Sequence, residues 1–266
     1  MTEYEKLSII ISASAVLFSV LIPLSQFVYK KYWRRLKLNI LPFDKLTLLF
    51  NESGSYLKIK FAIDCLNQSV TVKNIKATVT KTSNNETNIF NWLFFESVQM
   101  NFVTGTYTPN TIFSTQYATP VRYPADTLNP LIVEFANIDN KINSDLAEMK
   151  KKKDIAIQEA CSRETGVFDY SSFCDRFKQD SKYLSIYNGY SECFLWKEGV
   201  YDVKITVTYD NNKLYTKSFT FQINKEEEEI LKKNIEEVIF CRLKQSYYIP
   251  TSFGLISTDM KEKDEM

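Results

Sequence analysis

The side chains here with chemistry to offer are five cysteines, two runs of like charge and 32 carboxylates, in a chain of 266 residues with no histidine. The missing histidine excludes Ser-His-Asp and Cys-His catalysis, histidine general bases and histidine metal ligands. Carboxylate, lysine, tyrosine and thiol chemistry stays open. Cys65, Cys161, Cys174, Cys193 and Cys241 contain no Cys-x-x-Cys pair, which argues against zinc. They are odd in number and too few for a disulfide scaffold, so they read as free thiols in a reducing compartment. One of Cys161, Cys174 and Cys193 could be reactive, but with no histidine to activate it buried thiols are the better reading.

The charge runs are Lys150–Lys153 and Glu226–Glu229. The lysines could meet anionic lipid head groups. Four consecutive helical residues point around most of the circumference, however, so a solvated helix accounts for them. The glutamates could hold a hard cation, yet they read more simply as the acidic first turn of a helix. Six glycines, at 54, 105, 166, 189, 199 and 254, are too dispersed for a phosphate loop. No pair of carboxylates stands out for glycoside chemistry. These residues imply no catalytic set, no metal and no cofactor. The net charge is +1, so nucleic acid is not an expected partner.

The elements that must carry these groups begin with an anchor. Residues Leu7–Val28 form an uncharged apolar run, long enough as a helix to cross the ~30 Å hydrocarbon layer. A cleaved leader is disfavoured, because the 1–6 flank is not basic, the run is long and no small-x-small site ends it. The basic juxtamembrane segment, 29–42, follows. Lys30, Lys31, Arg34, Arg35 and Lys37 place the positive side after the helix, and Tyr32 and Trp33 suit an interfacial belt. The rule that basic flanks stay inside predicts an outside N-terminus and a cytoplasmic main domain. The same cations could attract anionic lipid. Ala15 and Ser19, four apart, could let two such helices approach and make a homo-oligomer.

Residues 43–245 read as a mainly β domain. Leu57, Ile59, Phe61, Ile63 and Cys65 alternate with polar residues, as do Val203, Ile205, Val207 and Tyr209. A bulge is expected near Lys73 and Asn74. Asp210-Asn211-Asn212 signals a tight hairpin. The aromatic run Phe90–Phe95 reads as a core strand. A polar, helix-prone stretch at 138–195 reads as an insertion. Asn224 begins a C-terminal helix at 225–245, and 246–266 reads as a tail that frays at its end. About seven strands with regular turn signals predict an immunoglobulin-like β-sandwich. Trp196–Tyr201 with the strand that follows resembles the penultimate strand of immunoglobulin-like modules, a resemblance of fold that brings no function with it.

The expected function is a membrane-anchored, non-enzymatic scaffold that binds another protein at the inner face of the bilayer, with the insertion as the partner surface. The alternatives are a membrane-perturbing effector or sensor that self-associates through its helix, and an enzyme using carboxylates or a thiol.

Overall fold

The computed structural model describes residues 2–29, 36–101, 110–137, 139–164 and 168–263. Helix α1 spans Glu3–Val28 and carries the apolar run. Its window Ser8–Val28 has a mean hydropathy of 2.1 and none of it is buried against the rest of the chain. Pro23 lies inside it. The hydroxyls of Ser14, Ser19 and Ser25 donate to carbonyls one turn back, at Ile11, Val16 and Ile22. These bonds hide polar groups that hydrocarbon would not solvate.

The domain is mostly β. Its strands are β1 (Lys37–Asn51), β2 (Gly54–Leu66), β3 (Val70–Lys81), β4 (Glu86–Asn101), β5 (Asn110–Tyr117), β6 (Val121–Tyr123) and β7 (Thr127–Asn137). Helices α2 (Asn140–Ser162), α3 (Tyr170–Phe177) and α4 (Ser181–Glu192) then intervene before β8 (Gly199–Tyr209) and β9 (Lys213–Ile223). Helix α5 (Lys225–Ser246) and two short strands, β10 (Ile256–Asp259) and β11 (Lys261–Glu262), complete the described chain.

These strands form one antiparallel sheet in the order β10-β1-β2-β7-β4-β3-β8-β9-β11, with β5 beside β4 and β6 beside β3. The ends of that order belong to a single extended segment. Ile256–Asp259 bonds to β1, and Lys261 and Glu262 bond to β9. The sheet therefore curls until it is nearly closed as a barrel. This corrects two readings. The two-sheet, immunoglobulin-like sandwich is not what the pairing shows. The stretch read as a tail holds the strand segment that bridges the seam. Where that segment does not reach, side chains span the gap: Tyr215 Oη donates to Asn39 Oδ1 (2.9 Å) and Lys217 Nζ to the Ile40 carbonyl (3.1 Å).

The barrel has two unlike ends. The proximal end, where β1 enters from the α1 side, holds Leu66, Val70, Thr127 and the β8–β9 turn. The distal end holds the β1–β2 and β3–β4 turns, the exit of β7 into α2 and the entry of β8. Inward residues at every second position fill the interior, among them Leu48, Phe50, Phe61, Val133 and Ile205. Trp196 lies just ahead of β8, stacks on Phe90 (5.3 Å between ring centroids) and donates Nε1 to the Leu49 carbonyl (3.0 Å). Phe173, Phe177, Tyr183, Ile186 and Tyr190 from α3 and α4 join the same core, so the inserted helices share the barrel's apolar interior.

Candidate functional site

The lysine run on α2 is not uniformly solvated. Lys153 is fully buried, and this corrects the reading of a solvated helix face. Its Nζ lies 2.7 Å from Glu52 Oε1, 3.0 Å from the Val238 carbonyl and 3.9 Å from Cys241 Sγ. The Cys241 thiol donates to the same Glu52 Oε1 at 2.7 Å. One carboxylate, one ammonium and one thiol thus converge from three separate parts of the chain.

Local structure explains how each is held. Glu52 sits in the β1–β2 turn, where Asn51 Oδ1 accepts from the Ser53 amide (2.8 Å). Gly54 completes the turn at φ +102°, a conformation that side chains disfavour. A Cβ there would also come within 3.0 Å of Leu146 on α2, so the turn and the helix are in close contact. Helix α2 is registered by Asp139, whose side chain accepts from the Lys141 and Ile142 amides. Asn137 carries that cap back to the sheet by accepting from the Asp139 amide and donating to Asn88 Oδ1. Cys241 and Val238 lie on α5, which starts in a capping box of Asn224 and Glu227.

The electrostatics follow from burial and pairing. Burial alone would raise the Glu52 carboxyl. Hydrogen bonds from Cys241 and Lys153, with the charges of Lys153 and Lys150, outweigh it and hold the group below its ordinary value. Burial pushes the Cys241 thiol up to about 11, and its bond to Glu52 adds to the effect. The thiol is therefore protonated near neutral pH and a poor nucleophile. The Tyr190 hydroxyl is buried without a hydrogen-bond partner and is pushed upward by burial first, then by the Glu52 carboxylate. A lysine nucleophile must shed its proton and meet a substrate. Here the amine is enclosed and committed to a carboxylate and a carbonyl, an arrangement that suits a three-way structural junction.

The residues singled out in the sequence lie elsewhere. Lys30, Lys31, Tyr32, Trp33, Arg34 and Arg35 fall outside the described residues. Lys37 is exposed at the start of β1. Ala15 and Ser19 are exposed one turn apart on α1. The run Glu226–Glu229 lies in the opening turns of α5, where Glu227 closes the capping box and Glu228 accepts from the Glu198 amide (2.7 Å). All five cysteines are free thiols, and only Cys161 is not fully buried. Among the described residues no group of three metal-ligating side chains converges. Sequence reasoning missed Glu52, left unsorted among the 32 carboxylates, and Lys153, read as one of four equivalent lysines.

A second feature lies on the insertion. Ile155, Ala156 and Ile186 floor an open groove of about 250 Å³ between α2 and α4, rimmed by Lys152 and Lys182. Ile155 is exposed there. Lys152 pairs with Glu148 (2.6 Å) and Lys182 with Glu159.

No family model matches this chain, and no curated protein sequence does. Among solved structures the chain is similar to a family 123 glycoside hydrolase from Clostridium perfringens, studied for glycolipid glycan hydrolysis. The identity is 10%, the TM-score is 0.31, and the match covers 71% of this chain and 27% of that one. This chain thus spans about a quarter of that protein, and a likeness of this size assigns neither fold nor activity.

Proposed function

We propose that this protein is a membrane-tethered, non-enzymatic scaffold that presents its inserted helices to a protein partner at the inner face of the bilayer. The observation that carries the reading is the division of labour along the barrel. Helix α1 is apolar and wholly exposed, so it calls for a lipid environment. The chain enters the barrel at the proximal end and leaves for the inserted helices at the distal end. The partner surface is therefore held away from the tether. The basic residues after α1 support a cytoplasmic domain with the N-terminus outside.

The α2–α4 groove suits an apolar segment of a partner, since its floor is aliphatic and its rim lysines are already paired with Glu148 and Glu159. Deleting the insertion is not a clean test, because its aromatic residues belong to the common core. A photo-crosslinking residue at Ile155, in membranes of the native host, is the better one. It is expected to capture one discrete protein, and Ser185→Arg on the groove wall should abolish the capture. The same products from a crosslinker at the exposed Leu214, on β9 at the proximal end, would overturn the assignment of the groove.

A further inference from the structure

Four apolar side chains stand on the outside of the barrel at its proximal end. Leu41 and Phe43 on β1 are 39% and 50% exposed, Leu66 on β2 is 41% exposed, and Leu128 on β7 is 58% exposed. The register makes them one patch, because β1, β2 and β7 are adjacent. Leu41 faces Ala62, which faces Pro130. Asn39, Asp64 and Leu128 share the next row, and Lys37 faces Leu66. Alternation along each strand turns all of them outward. From Lys37 to Phe43 the patch extends roughly 20 Å along β1, at ~3.3 Å per residue. Isolated exposed leucines need no explanation, but a contiguous apolar face does.

Charge and position identify what covers it. Lys37 and Lys60 are exposed, and neither has an ion pair among the described residues. Lys37 shares a row with Leu66, and Lys60 pairs with Ile132, one outward row beyond that of Leu41, Ala62 and Pro130. Asp64 is half-buried between them. Only residues 29–36 separate the end of α1 from Lys37. Even a fully extended chain of that length reaches no more than about 30 Å. The patch therefore stays within a few nanometres of whatever α1 is embedded in, and it lies toward the end of the barrel at which the chain arrives from α1.

We propose that the outer face of β1, β2 and β7 lies on the bilayer that α1 enters. Leu41, Phe43, Leu66 and Leu128 sit at the boundary of head groups and acyl chains, and Lys37 and Lys60 rest against anionic head groups. The inference rests on the tethered reading of α1, and adds that the barrel has a fixed tilt instead of swinging on its linker. The distal helices then project away from the lipid in one orientation.

The test uses the full chain in nanodiscs of phosphatidylcholine with a minority of phosphatidylserine, one chain to a disc. Nitroxide labels are placed singly at Leu66→Cys, Leu128→Cys, Val200→Cys at the exposed distal end, and Leu17→Cys within α1. Cys161→Ser removes the one native thiol that is not buried. Labels at 66 and 128 are expected to be relaxed more by oxygen than by an aqueous nickel reagent, like the label at 17. The label at 200 should show the reverse. Removing phosphatidylserine, or introducing Lys37→Glu with Lys60→Glu, should move the label at 66 toward water. If 66 and 128 are aqueous while 17 is in lipid, the docked face is overturned and the tether stands. If 17 is aqueous, the tethered reading fails and the docked face fails with it. If labels at 128 couple to each other in discs holding two chains, and are aqueous in discs holding one, a second copy covers the patch and the proposal is wrong.

Discussion

The distal junction and the proximal face break the same rule in opposite directions. At the distal end an ammonium, Lys153, is fully inside the protein. At the proximal end leucines and a phenylalanine are outside it. The buried charge is resolved within the chain, because Glu52, Val238 and Cys241 supply its anion and its hydrogen bonds. Among the described residues the exposed apolar face has no such partner, and the docking proposed above assigns its cover to the bilayer. Sealed polar groups therefore speak of architecture in this molecule, and open apolar ones of location.

The largest effect on stability is expected at Glu52. Glu52→Gln removes the nearer anion of a fully buried ammonium, leaving only Asp154 Oδ1 at 4.0 Å among the described carboxylates, and is expected to cost about 3–5 kcal/mol. The measurement is the urea midpoint of the detergent-solubilised protein. The double variant Glu52→Gln with Lys153→Met should recover most of that loss, since it buries no unpaired charge. A Glu52→Gln variant as stable as the parent would show that the junction holds nothing together.

A smaller effect is expected from pH. The Glu52 carboxyl is held below its ordinary value near 4.5. Its stabilisation is therefore fully present above that value, and is lost as pH falls through the lower, folded-state value. Acid titration of the urea midpoint should fall less steeply in Glu52→Gln than in the parent, and equal slopes would assign the acid sensitivity to other carboxylates. A thiol probe sharpens the same end of the molecule. An alkylating reagent near neutral pH should modify Cys161 in the folded protein and leave Cys241 untouched until denaturation, because burial holds the Cys241 thiol up at about 11.

The smallest effect on stability belongs to the proximal face. Leu128→Ser should change the unfolding free energy from the same urea titration by no more than about 0.5 kcal/mol, because the side chain is 58% exposed and packs little against the protein. A loss of several kcal/mol would mean that Leu128 is internal to the fold and unsuited to a docking role.

Some of this architecture is written locally in the chain. The uncharged run of α1 dictates an apolar helix without reference to anything else. The alternation from Leu57 to Cys65 becomes the buried face of β2. Asp210 and Asn212 both adopt positive φ at the β8–β9 hairpin, as short polar residues readily do. The bulge expected near Lys73 appears as a register shift between Val72 and Asn74. Asn224 caps α5 through hydrogen bonds to residues three positions away. Each of these is a property of near neighbours, and periodicity or a cap can report it.

Other features depend on contacts between distant parts of the chain. Residues 256–262 bridge β1 and β9, yet their sequence offers just a short polar alternation that reads as a tail. Closure of the sheet depends on which two edges are left unpaired, and no local pattern encodes that. Asn234 holds the approach to this segment by exchanging hydrogen bonds with Gly254, 20 residues away. Lys153 differs from Lys150, Lys151 and Lys152 in nothing but its helical angle, which turns it toward a carboxylate 101 residues earlier and a carbonyl 85 residues later. Local pattern dictates an apolar helix and a set of alternating strands, which the sequence alone assigned to a two-sheet sandwich. The tertiary structure decided which lysine is buried and which leucines are bare, because a residue's environment is set by the surfaces that meet it, and those surfaces come from distant parts of the chain.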